Sequence, residues 1–128
     1  MPFRITVDHT ATHLAIACEG PAGLGDLCAA VDLASGLARR EGYPRVLLDL
    51  QGVEVDLGFT DHLQLGTHAA ERLCSLERVA AVVPARLRTG ISEKAAQKSG
   101  LHLRSFTDRD EALHWVQASL TPPAPVRP

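Results

Sequence analysis

Four side chains in the middle of the chain, His62, His68, Glu71 and Cys74, are of types that hold metal ions, and the last three recur every three residues. On a helix that spacing drifts across one side, and the chemistry it would serve is a zinc site. The pattern stops short of one. No HExxH occurs, the ExxH pair Glu111 and His114 falls in a different helical stretch, and a catalytic zinc needs three converging ligands with partners behind them. Solvated polar positions beside a buried Cys74 account for the same residues, so no metal or other cofactor is expected.

Nucleophilic catalysis asks for a Ser, Cys or Thr on a sharp turn with a base in reach, and the chain has no GxSxG elbow. Gly20-Pro21-Ala22-Gly23-Leu24-Gly25 lacks the Lys-Ser/Thr of a P-loop, and it reads as a flexible entry to a helix. Asp49 and Asp56 flank a turn and as a pair could move protons, but solvated loop carboxylates are the simpler account. Trp115, the single tryptophan, suits a core or edge anchor. The remaining candidate is Arg86-Leu87-Arg88-Thr89-Gly90, two guanidinium groups in a short loop that runs into a helix start. Free N–H groups at such a start favour anions.

The elements that must position these residues follow from hydrophobic period. Phe3 to Asp8 alternates with period two, and His13 to Glu19 is a second β-like run, so a hairpin opens the domain. Leu24, Leu27, Val31, Ala34, Leu37 and Ala38 form the stripe of an amphipathic helix to Arg40, with Gly42 as its left-handed cap. Arg45 to Leu50 is nearly all apolar, the mark of a strand covered on both faces. A loop from Gln51 to Phe59 leads to a helix over 60–74 with Thr60 as N-cap and Asp61 at its positive end.

Glu77 to Val83 is the second central strand. Ser92 caps a short helix through Lys98, 101–106 alternates as a strand, and Thr107-Asp108-Arg109-Asp110 opens the last helix. The order is β-β-α-β-α-β-α-β-α, an α/β domain over 1–120 in which a mixed sheet is covered by about four helices. The tail 121–128, with four prolines from Pro122 onward, is expected to trail and add nothing to the core.

Composition narrows the class. At 128 residues, 45% hydrophobic and 22% charged, the chain suits one globular domain, and 4% aromatic content leaves Leu, Val, Ile and Ala to fill the core. Net charge is −2 and the basic residues are scattered, which removes the electrostatic case for nucleic acid. No window approaches a spanning helix and the start has no signal-like apolar stretch, so the expectation is a cytoplasmic protein that is not integral to a membrane. Cys18, Cys28 and Cys74 have no CxxC spacing and are read as buried, reduced thiols.

Three strings then resemble the SpoIIAA-like family, relatives of STAS domains of the anti-sigma-factor antagonist type and of the CRAL-TRIO fold. They are Arg45 to Val53, Arg78 to Val83, and Arg104 to Val116, where strand, Phe106, an acidic turn, Glu-Ala-Leu and Trp115 recur together. The resemblance covers residues 3 to 120. It implies a non-catalytic regulatory module, and the composition, eleven Arg against two Lys among many Ala and Leu, suits a GC-rich bacterial source. In STAS antagonists a phosphorylated serine follows the strand that Val46 to Leu50 resembles; here Leu57 and Gly58 stand at the serine positions and Thr60 is the nearest hydroxyl to act in its place. The expected functional edge is formed by the loops 56–61 and 86–92, with Asp56, Thr60, Asp61, Arg86, Arg88 and Thr89 engaging a partner protein or a small anionic ligand. A homodimer is compatible with this reading. The alternatives are a carrier of an apolar ligand or lipid, which CRAL-TRIO kinship implies, and a small hydrolase or transferase.

Overall fold

The computed structural model describes residues 2–87 and 90–118. Its element order is β1 (Arg4–His9), β2 (Leu14–Pro21), α1 (Leu24–Glu41), β3 (Arg45–Glu54), α2 (Phe59–Leu73), β4 (Arg78–Val82), a 3-10 turn (Ala85–Leu87), α3 (Ile91–Lys98), β5 (Leu103–Phe106) and α4 (Arg109–Gln117). The strands form one five-stranded sheet in chain order, with β1 antiparallel to β2 and all later neighbours parallel. The expected mixed α/β architecture is the observed one. The tail lies outside the described residues, and no helix among them is long and apolar enough to cross a membrane.

Alternation decides which core each strand side chain enters. Leu14, Ile16, Cys18, Val46, Leu48, Val79 and Leu103 face α1, α2 and α3 in the larger cluster, whereas Leu47, Ala80, Val82 and Phe106 face Ala112 and Val116 of α4. Each fully buried Val, Leu or Ile contributes roughly 1.5–3 kcal/mol of transfer free energy, so both layers are needed to hold the apolar central strands. β2 and β3 bury side chains on both faces, as their near-continuous apolar runs require.

Strand β3 runs four residues past the expected end at Leu50. After an irregularity between Ala17 and Glu19, Gly52 pairs with Glu19 and Glu54 with Pro21. A Cβ at Gly52 would sit 2.8 Å from that of Glu19, so glycine here permits close strand approach where its presence in sequence suggested a turn. The loop into α2 is therefore shorter than expected.

Candidate functional site

In a sheet whose strands β2 to β5 run parallel, the carboxyl edge collects the ends of β2, β3, β4 and β5 and the starts of α1, α2, α3 and α4. Ligands of open α/β sheets gather at such edges. The starts of α1 and α2 share a local device. Gly23 precedes α1 and its N–H donates to Asp26 Oδ2 at 2.9 Å; Gly58 precedes α2 and its N–H donates to Asp61 Oδ2 at 3.2 Å. This corrects the expected cap: Thr60 is the second residue of α2, exposed, and Gly58 holds the cap position because the carboxylate three residues on reaches back to it. Asp61 is thus committed to the helix start.

Arg86 ties the expected edge together. Its Nη2 donates to the Val53 carbonyl at 3.0 Å, which draws the turn after β4 against the end of β3. Asp56 is exposed nearby and, with Asp26 and Glu54, borders a shallow acidic depression. Arg88 and Thr89 lie outside the described residues. Two apolar side chains also stand open here: Phe59 is 64% exposed at the first position of α2 and Leu63, one turn on, is 38% exposed. The sequence reading passed over both, although their i, i+4 spacing on a helix opening puts them on one face.

The histidines of α2 separate. His62 is buried, with Nδ1 3.0 Å from Ser92 Oγ, and that hydroxyl also donates to the His62 carbonyl at 3.0 Å. His68 instead turns Nε2 to Asp32 of α1 at 2.8 Å, and the Arg72 Nε donates to the same oxygen at 2.8 Å. The hydrogen bond from His68, with that from Arg72, holds the Asp32 carboxyl below its ordinary range. No group of three or more His, Cys, Asp or Glu among the described residues could hold a metal ion. The solvated reading fails for His62, which is enclosed.

Cys74, expected to be buried, is exposed, because α2 ends at Leu73 and the chain turns away from the core there. Cys28 is half-buried. Cys18 is buried, and desolvation together with Asp49 pushes its thiol up to about 11. Asp49 is no solvated loop carboxylate either: it accepts from Arg109 Nε at 3.1 Å and from the Gln51 N–H at 3.1 Å on strand β3. Trp115 is the edge anchor expected of it, packed on His102 and Phe106 and covered by the Arg78 guanidinium.

Behind the edge, α1, α2, α3 and the sheet enclose a cavity of about 90 Å³. Its walls are mostly aliphatic, and His62 and Ser92 stand on it beside Glu93 and Ser105. Its signal in sequence is nil, since it is a space left between four elements.

No protein-family model and no curated protein matches the chain by sequence. Solved structures match in fold. An anti-sigma factor antagonist from Mycobacterium paratuberculosis superposes with a TM-score of 0.66 at 18% identity, covering 91% of this chain and 96% of that one. An uncharacterized protein of the DUF3478 family with a SpoIIAA-like fold, from Shewanella loihica, superposes with a TM-score of 0.55 at 20% identity, covering 89% and 93%. The fold is SpoIIAA-like, as the three sequence strings implied.

Proposed function

We propose that the chain is a non-catalytic binding module that docks a regulatory partner protein on the carboxyl edge of its sheet. The observation that carries this reading is Phe59, 64% exposed on the first turn of α2 with Leu63 beside it. A large aromatic held out on a rigid helix start has the form of an interface anchor, because burying it against a partner recovers apolar area at little conformational cost. Arg86 supports the surface by clasping the two loops that flank it. The likeness in fold to an anti-sigma factor antagonist agrees with a regulatory role, and three unpaired thiols suit a cytoplasmic setting.

A partner protein fits the edge better than a small anion. Asp26, Glu54 and Asp56 border it, and one arm of Arg86 is already occupied by Val53. The complementary surface is therefore apolar at its centre with a basic rim, and added salt should weaken the complex. A lipid carrier is disfavoured by size: a cavity of about 150 Å³ is what holds benzene, so one of about 90 Å³ is too small for an acyl chain.

The test is affinity for the partner that co-purifies from the host. Phe59→Ala should weaken it by about thirtyfold, the scale of a hot-spot residue at about 2 kcal/mol. Leu33→Ala, another exposed apolar position, should leave it unchanged. Equal effects at both positions would remove the edge from the account.

A further inference from the structure

The sheet has two lateral edges, and the chain treats them differently. Strand β5 ends it on one side. The Val79 and Val83 N–H groups donate to the His102 and Phe106 carbonyls, so the backbone groups of Leu103 and Ser105 point outward. Helix α3 occupies them: Gln97 Nε2 donates to the Leu103 carbonyl at 2.8 Å, and the Ser105 N–H donates to Glu93 Oε2 at 3.0 Å. A strand edge covered in this way is closed to another chain. Strand β1 ends the sheet on the other side, and no strand among the described residues pairs with its outer side.

Which groups β1 offers follows from its pairing with β2. At the hairpin turn the Thr10 N–H donates to the His13 carbonyl at 3.1 Å, and the register runs unbroken from His9 with Leu14 to Arg4 with Glu19. Antiparallel pairs alternate between bonded and non-bonded, so Arg4, Thr6 and Asp8 turn their backbone groups to β2, while Ile5, Val7 and His9 turn theirs outward. Side chains alternate as well. Arg4, Thr6 and Asp8 stand exposed on one face, and Ile5 and Val7 lie half-buried on the other against the larger core.

We propose that β1 is a homodimer interface, pairing antiparallel with β1 of a second copy about a two-fold axis at Thr6. Charge complementarity within the strand selects this occupant and this register. Arg4 then stands opposite Asp8 of the second copy, Asp8 opposite its Arg4, Ile5 opposite its Val7, and Thr6 opposite its Thr6. Outward backbone groups meet outward backbone groups, so Ile5 and Val7 exchange both bonds, and Arg4 and Asp8 fall at non-bonded pairs, where facing side chains come closest. Within the hairpin Asp8 faces Ala15, which offers it no charge, and Arg4 pairs with Glu19. The guanidinium has five donors, enough to lie between Glu19 and a second carboxylate. Other registers lose this match: an axis at Val7 sets Asp8 against Thr6, and an axis at Ile5 sets Arg4 against Thr6. The interface is isologous and extends one sheet across both copies. It lies on a different side of the molecule from the partner surface at the strands' carboxyl ends, and it stands without that reading.

Sedimentation of the full chain over a concentration series tests it. Wild type should pass reversibly from monomer to dimer as concentration rises. Arg4→Glu and Asp8→Arg should each raise the dimer dissociation constant about tenfold, since the two-fold axis doubles every change in a cross-strand pair. Mixed in equal amounts, the two variants regain opposite charges at both pairs, and the mixture should dimerise within about threefold of wild type. Recovery on mixing also shows that both variants fold. In a Cys74→Ser background, Thr6→Cys should close a disulfide between copies on mild oxidation, because residues facing across a non-bonded pair lie about 4.5 Å apart at Cα. Arg4→Cys should not. The proposal is overturned if wild type sediments as a monomer up to about 1 mM, if a dimer forms that neither charge reversal weakens, or if the mixture is no tighter than either variant alone. A disulfide from Thr6→Cys to another protein in host lysate, with none between copies, would give the edge to a foreign strand and overturn it too.

Discussion

The two ends of the parallel strands use arginine in opposite ways. At the amino edge, Arg45 and Arg78 start neighbouring strands and pair directly in register. Arg45 Nη1 donates to the Val116 and Ala118 carbonyls at 2.8 and 2.6 Å, its Nε meets Glu77 at 3.1 Å, and Arg78 Nη1 donates to the Trp115 carbonyl at 2.5 Å. These are the orphan acceptors at the C-terminus of α4, where cations are favoured. Two like charges are tolerated side by side because the helix end and Glu77 compensate them. At the carboxyl edge Arg86 makes one side-chain bond among the described residues, to the Val53 carbonyl, and Phe59 at the start of α2 is left in solvent. The amino edge fastens α4 to the sheet, although Arg78 Nε is buried there without a partner among the described residues.

That contrast makes its strongest prediction at the amino edge. Arg45→Ala removes three charge-assisted bonds, two of them to part-buried carbonyls at the end of α4, which should cost about 2–3 kcal/mol and lower Tm by several degrees in a thermal scan. A neutral result would mean that α4 is held by its apolar face alone. Gly66→Ala comes next, since its Cβ would meet the Ser92 carbonyl and Ala95; overpacking of this kind costs about 1–3 kcal/mol, and chemical denaturation should show it. If the variant is as stable as wild type, the α2–α3 seam yields and the cavity is not rigid. Arg86→Ala, by comparison, should change stability by no more than about 1 kcal/mol, because one loop bond is lost at an exposed residue. A larger loss would make the carboxyl edge structural as well.

Smaller effects separate the two sheet edges by chemistry. Cys74 should react within minutes with a thiol reagent at pH 8, whereas Cys18, buried and raised to about 11, should react only on unfolding. Rapid labelling of Cys18 would contradict the packing of β2. The seam between α1 and α2 should respond to acid. Asp32 has a folded pKa below its unfolded one, so its stabilisation is complete above the ordinary carboxylate range and is lost as pH falls through the depressed value. Asp32→Asn should flatten the stability profile below about pH 4, where an Asp of ordinary pKa begins to protonate, and an unchanged profile would show that the His68 and Arg72 contacts are inert.

Much of this molecule was legible from its residues. Period two located β1, the apolar run of Arg45 to Leu50 located the central strand, and every helix fell within a few residues of its expected place. The departures have local causes. Gly52 read as a turn because nothing in sequence announces that Glu19 will press against it. The glycine caps of α2 and α3 were missed because a hydroxyl was sought at the cap, at Thr60 and Ser92, each of which is the second residue of its helix; at α2 the informative residue was Asp61, three positions after Gly58. His62 and Cys74 exchanged expected environments. A three-residue spacing says that side chains drift round a helix, and only the packing of α3 on α2 determines which end of that arc is enclosed.

The central claim is that the carboxyl edge is the docking surface, and photo-crosslinking tests it most directly. A benzophenone amino acid placed at position 59, and separately at position 33, is irradiated in cells of the host. The account predicts a discrete protein adduct from position 59 that fades as salt is raised in the lysate before irradiation, and none from position 33. An adduct from position 33 alone, or the same adducts from both positions, would contradict it.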